Sequence, residues 1–180
     1  MSDNSISIVC KKSTYPHNKE KAAEILEWLV SCNIVKPTLS DCVLGSNSGY
    51  AVSDGAKAVV NEPAYLRFGL ATNGLDIVTD RTIFNTGGNG IDELIYPNCK
   101  TDISQEDWDF LEPWFSGETD DLRCPVCGGQ SEIHNFDFVP EWGFGDLGFT
   151  FWNWPPFTDE FVEDFKQRLG CDVNIVFSHI

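Results

Sequence analysis

"TDEFVEDFKQRLGCDVNIVFSHI", residues 158–180, carries a complete helix and a strand in one unbroken run. Thr158 stands where a helix N-cap is needed, and Asp159 and Glu160 complement the positive end of the helix that follows. Phe161, Phe165 and Leu169 recur at helical spacing and form one apolar face, while Lys166 and Arg168 fall in the last turn and Gly170 ends it. The spacing therefore predicts a helix over 159–169. The β-branched "CDVNIVFSHI" then reads as a closing strand.

The other end of the chain has the same plan. "SISIVCKK" alternates as a first strand does, and "YPHNKEKAAEILEWLVSCNIV" places Ala22, Ile25, Leu26 and Leu29 on one side of a helix over 19–31. Asn18 is the expected N-cap, and Lys36-Pro37 bars continuation. Each helix follows an aromatic-proline turn, Tyr15-Pro16 or Trp154-Pro155. Residues 38–62 read as short strands and turns, and "AYLRFGL", "GLDIVTD" and "RTIFNTGGNG" as a meander with turns at Asn73-Gly74 and Gly87–Gly90. The expected fold is α+β: a mainly antiparallel sheet with two or three helices, of the split βαβ or ferredoxin-like kind.

Between the two ends lies a different pattern. "DLRCPVCGGQ", residues 121–130, has two cysteines two residues apart followed by Gly-Gly, which is half of a tetrahedral metal site. Upstream, Tyr96-Pro97-Asn98-Cys99 has the same form with its first ligand replaced. Cys124-Pro125-Val126-Cys127-Gly128 resembles the rubredoxin-type knuckle of the zinc-ribbon family, and the resemblance extends over residues 92–138. It implies one structural zinc ion, and no other cofactor, held by Cys99, Cys124, Cys127 and a fourth ligand. His134 is the first choice for that place, with Asp102 and Cys171 as alternatives. The alternative to a metal site is a ribbon whose knuckles persist only as turns, with Cys124 and Cys127 free or loosely paired. Ser104 is expected to cap a short helix over "QEDWDFLE" inside this region, with Pro113 stopping it. The 180 residues thus form a single α+β domain, 1–180, carrying a zinc-ribbon-like insert at 92–138.

Charge is the strongest global feature, at −16 net. Residues 1–90 hold nine acidic side chains against eight Lys and Arg, whereas residues 91–180 hold nineteen against only Lys100, Arg123, Lys166 and Arg168. Such a field repels phosphate backbones and anionic lipid, which disfavours nucleic-acid and membrane-surface binding so that neither is expected, and it attracts a basic protein. The start "MSDNSISIVCKK" lacks the basic-then-apolar pattern of an export signal, so a cytoplasmic location is expected. There the seven cysteines would be reduced thiols or metal ligands.

"EWGFGDLGFTFWNWPPF", residues 141–157, is the remaining outlier. Simple alternation points Phe149, Phe151 and Asn153 one way and Thr150, Trp152 and Trp154 the other. The run is either a strand covered on both faces or an exposed aromatic patch, in which Trp152 and Trp154 are anchors ringed by Asp146, Asp159, Glu160, Glu163 and Asp164. Together with the segment that follows it, this run is similar to a group of small acidic bacterial proteins. Some of those carry a sugar-transporter ATPase label and a ribbon with both knuckles complete. That label implies a phosphate-binding loop, and no G-x-x-x-x-G-K-[ST] motif occurs here. "GSNSG", 45–49, has Asn47 at its centre and is no nucleophile elbow, and Cys42 beside an apolar pair reads as core. The expected function is that of a non-enzymatic immunity or antitoxin protein that occludes the active site of a basic toxin domain such as a nuclease. The alternative is a zinc-ribbon regulatory or adaptor protein without catalytic activity.

Overall fold

The first strand, β1 (Asn4–Cys10), is buried along almost its whole length, and the architecture follows from covering both of its faces. The structure, a computed structural model, describes residues 2–180. The elements after β1 are α1 (Asn18–Ser31), β2 (Val35–Ser40), β3 (Gly49–Val52), β4 (Gly74–Val78), β5 (Thr82–Phe84), β6 (Glu93–Ile95) and α2 (Glu112–Phe115). They continue with β7 (Asp121–Arg123), β8 (Gln130–Glu132), β9 (Asp137–Val139), β10 (Gly143–Gly145), β11 (Gly148–Trp152), α3 (Asp159–Leu169) and β12 (Val173–His179).

Six strands form one open antiparallel sheet in the order β12-β1-β11-β4-β3-β2. The parallel strands β11 and β12, joined through α3, flank β1, and β1 and β2, joined through α1, enclose β11, β4 and β3. These are two interlocked split βαβ units, so the fold is α+β. β2 is an edge strand, exposed beyond Val35, with Pro37 in its middle and a register shift between Val35 and Leu39. At the opposite edge the 86–90 loop folds over the end of β12, where Gly88 N–H donates to His179 O at 2.7 Å.

The two long helices, α1 and α3, cover one face. Ala22, Ile25 and Leu29 of α1 and Phe161, Phe165 and Leu169 of α3 meet Ile6, Ile8, Phe149 and Phe151 in the main core. Phe165 lies 5.2 Å, centre to centre, from each of Trp28, Phe149 and Phe161. Thr158 Oγ1 accepts from Phe161 N–H at 3.2 Å, and Gly170, with φ 67°, closes α3 in the left-handed conformation. Asn18 is not the N-cap of α1. His17 takes that place with φ 54°, and the Asn18 amide instead donates to the carbonyls of Thr79 and Asp146 at 2.8 and 2.7 Å.

The second face of β1 is covered by the β5–β10 pair, with Val9 against Phe84 and Val176. Gly148 admits this layer, because a Cβ there would collide with the Phe84 ring. Beside it, Leu94, Tyr96, Ile103, Leu111, Trp114, Leu122, Cys124, Ile133, Phe136 and Phe144 make a core of their own. The β7–β8 hairpin and the β6–β9 pair frame this second core. Arg81 ties it to the sheet: its guanidinium lies 4.2 Å over the Trp114 ring, donates to Trp114 O and pairs with Asp120 at 2.8 Å. Trp114 Nε1 donates in turn to Ser13 Oγ at 2.8 Å.

Two local expectations inside this region are corrected. Ser104 caps nothing: the short 3₁₀ turn Trp108–Leu111 is capped by Asp107, which accepts from Asp109 N–H. Pro113 does not stop a helix but opens α2, where a missing N–H costs nothing. No helix among the described residues is long and apolar enough to cross a membrane.

Truncation of Phe165, which is fully buried among four aromatic rings, should lower stability by about 3–5 kcal/mol. Thr158→Ala should cost about 1 kcal/mol through loss of the α3 cap. Urea unfolding followed by tryptophan fluorescence measures both.

Candidate metal centre

The loop joining β7 to β8 is a tight knuckle. Cys124 N–H donates to Gly129 O at 2.8 Å, and Gly128 N–H donates back to Cys124 O at 3.0 Å. Gly128 sits at φ 72°, a conformation glycine adopts without steric penalty, which explains the Gly after the second cysteine. The segment after β6 repeats this geometry: Tyr96 N–H donates to Thr101 O and Lys100 N–H to Tyr96 O, each at 3.0 Å, with Lys100 at φ 57°. Tyr96 and Cys99 therefore hold the places in the first knuckle that Cys124 and Cys127 hold in the second.

The two knuckles bring Cys99, Cys124 and Cys127 together, with all three sulfurs within 4.8 Å of one another. Cys99 and Cys124 Sγ are 3.8 Å apart, far longer than a disulfide, and all seven cysteines are free. Three convergent thiols at this spacing fit a tetrahedral thiophilic ion such as zinc. Hydrogen bonds from Thr101 pull the Cys99 thiol down to about 7, against the opposing effect of burial. The Gly129 N–H pulls Cys127 down, but burial and the neighbouring Cys124 and Cys99 outweigh it and push Cys127 up. Burial, reinforced by the three thiols, pushes the Tyr96 phenol up.

His134 is not turned toward these sulfurs. Its Nδ1 lies 2.6 Å from Glu132 Oε1 and its Nε2 lies 2.7 Å from Phe144 O, so both ring nitrogens tie β8 to β10. Asp102 is exposed beside the first knuckle, where its Oδ1 accepts from Leu94 and Ser104 N–H, and these bonds hold its carboxyl below the usual range. Cys171 lies apart from the cluster, beside Cys10.

The residues expected to form an acidic and aromatic partner surface separate. Asp159, Glu160, Glu163 and Asp164 are exposed on α3. Trp152 and Trp154 are each only 5% exposed, so they are core residues and not anchors. Asn153, at φ 58°, breaks the alternation and turns Trp154 back onto Phe151, 4.9 Å away, while Trp152 packs on Cys42 and Val43. Asp146 accepts from Tyr15 N–H at 2.7 Å, and its partial burial pushes its carboxyl up. Cys42 is buried in that small cluster, while His17 lies near Glu20 and His179 bonds Asn4. A cleft of about 460 Å³ opens between β9, β10 and the start of β12, lined by Glu93, Phe138, Glu141, Trp142 and Asn174. The histidine that borders it is His134, already engaged on both nitrogens.

No protein-family model, curated protein or solved structure matches this chain, so the class of protein rests on fold and site together: an α+β protein with a three-cysteine centre on paired knuckles.

The Cys10–Cys171 pair is a feature that sequence spacing does not reveal. Antiparallel pairing sets Cys10 opposite Val173, which brings Cys171 to its side. The adjoining Cys10 thiol, helped by Lys12, lowers the Cys171 thiol to about 7 against the opposing effect of burial, and Cys171 together with burial pushes Cys10 far up. Alkylation of Cys171 by iodoacetamide, mapped by peptide mass spectrometry, should accordingly rise through a midpoint near pH 7, while Cys10 stays unmodified in the folded protein.

Proposed function

We propose that this chain is a non-catalytic binding protein whose ribbon is locked by one structural zinc-class ion at Cys99, Cys124 and Cys127. The observation that carries this reading is the convergence of three thiols within 4.8 Å on two knuckles with matching hydrogen-bond geometry. Bound metal would cross-link the segment after β6 to the β7–β8 hairpin, two segments joined in that region only by short strands and a small core. The cleft and the buried Cys42 support binding over catalysis, because the bordering histidine is committed to other bonds. Protein purified without chelator should carry one zinc per chain by elemental analysis. Cys124→Ser should lose that zinc and lower the thermal midpoint of the ribbon. A metal-free wild type whose stability does not respond to added zinc would overturn the reading.

A second reading concerns the partner, and the distribution of carboxylates favours it. Asp159, Glu160, Glu163 and Asp164 are exposed on α3, and none of them joins an ion pair among the described residues. Unpaired carboxylates on a rigid helix complement a basic protein surface, as an immunity protein that neutralises a basic toxin domain requires. The burial of Trp152 and Trp154 leaves such an interface to charge, so its strength should be steeply salt-dependent. Tagged protein should retain a basic, growth-arresting partner from host lysate at low salt and release it at high salt. Substituting Lys for the four α3 carboxylates should abolish retention, and retention that survives both salt and those substitutions would sink the charge-based mechanism.

A further inference from the structure

Tyr96 is the residue that a three-cysteine centre leaves unexplained. It stands in the first knuckle where Cys124 stands in the second, with the same pair of backbone hydrogen bonds around it. Its side chain is fully buried, and Phe136 holds the ring edge-to-face at 4.9 Å. Its hydroxyl nevertheless has no hydrogen-bond partner among the described residues. Buried hydroxyls are almost always paired, because leaving one unpaired forfeits its hydration for nothing in return.

The position of that hydroxyl indicates what its partner is. The point that a Cβ on Gly129 would occupy lies 3.4 Å from Tyr96 Oη and 3.4 Å from Cys127 Sγ, so the hydroxyl and the thiol flank the same small volume. The three cysteines supply three corners of a tetrahedron, and one corner remains. Of the other nearby groups, His134 is committed to Glu132 and Phe144 and Asp102 to two backbone N–H groups, while the Asn98 amide, also 3.4 Å from that point, is neutral and cannot become an anionic ligand as a phenol can.

We propose, building on the metal centre proposed above, that Tyr96 Oη is the fourth donor to the ion held by Cys99, Cys124 and Cys127. When the ion binds, the phenolic O–H bond breaks, its proton leaves to buffer, and a metal–oxygen bond replaces it. The thiols lose their protons in the same way, and nothing is oxidised or reduced. A phenolate oxygen is a harder donor than the thiolate it replaces, so the site holds a soft ion less tightly than four cysteines would.

The test titrates the full-length metal-free protein with zinc against a chromophoric chelator and records the near-ultraviolet difference spectrum. The wild type should bind one zinc with the appearance of an ionised-tyrosine band. Tyr96→Phe should weaken zinc binding at least about tenfold and lose the band, and Tyr96→Cys should bind more tightly than the wild type. Without metal, Tyr96→Phe should be the more stable protein because it no longer buries an unpaired hydroxyl, and zinc should reverse that order. One zinc bound by the wild type without the tyrosine band, and with equal affinity in Tyr96→Phe, would overturn the role of Tyr96 while leaving the three-cysteine centre standing. Zinc binding by Tyr96→Cys but not by the wild type would overturn the centre itself. If Tyr96→Phe fails to fold, the wild-type difference spectrum alone decides.

Discussion

A strand buried on both faces is the constraint from which the rest of this molecule follows. β1 presents Ile6, Ile8 and Cys10 to one side and Val9 to the other, and its neighbours β11 and β12 pair with it along nearly its full length. A two-sided central strand needs two covering layers. The helices supply one, and they arrive through the split βαβ connections that place β1 between β11 and β12. The other face cannot be left to solvent, and the β5–β10 pair closes it, with the second core built around Phe144 and Trp114 directly behind. The knuckle region is therefore attached at the place where the sheet requires cover, and Arg81 and Ser13 fasten it there.

Much of this was legible along the chain because the signals were local. The α3 segment shows its cap, its apolar face and its terminating glycine in thirteen consecutive residues, and the structure uses each as the spacing implies. The knuckle at Cys124–Gly128 is equally local, and its counterpart at Tyr96–Lys100 follows from the same hydrogen-bond rule. What sequence reasoning missed depends on groups distant in the chain. Asn18 is diverted from capping by the carbonyls of Thr79 and Asp146, and His134 is diverted from the thiols by the carbonyl of Phe144 on another strand. Asn153 redirects Trp154 through one left-handed residue, which no period-two pattern anticipates. Pro113 was misread because proline both ends and begins helices, and only the turn before it decides which.

The charge asymmetry also changes meaning once the aromatic run is seen to be interior. Its rings contribute to the main core, where Phe149, Phe151, Trp154, Phe157, Phe161 and Phe165 pack together. The carboxylates of α3 lie on the outer side of the same helix. The helix thus divides its sequence between an aromatic interior and an anionic exterior, and the two properties that looked like one binding patch belong to opposite faces.

The edge strand β2 has a consequence for how this protein meets others. A sheet edge with an unbroken row of free amides and carbonyls can be extended by a foreign strand. Pro37 removes one donor from that row, and the register shift between Val35 and Leu39 bends the rest out of line. At the far edge the 86–90 loop occupies the end of β12. Main-chain zippering is thereby discouraged along β2 and at the C-terminal end of β12. A bare backbone ladder would accept almost any extended chain, and this sheet offers one at neither its proline-broken edge nor the covered end of the other.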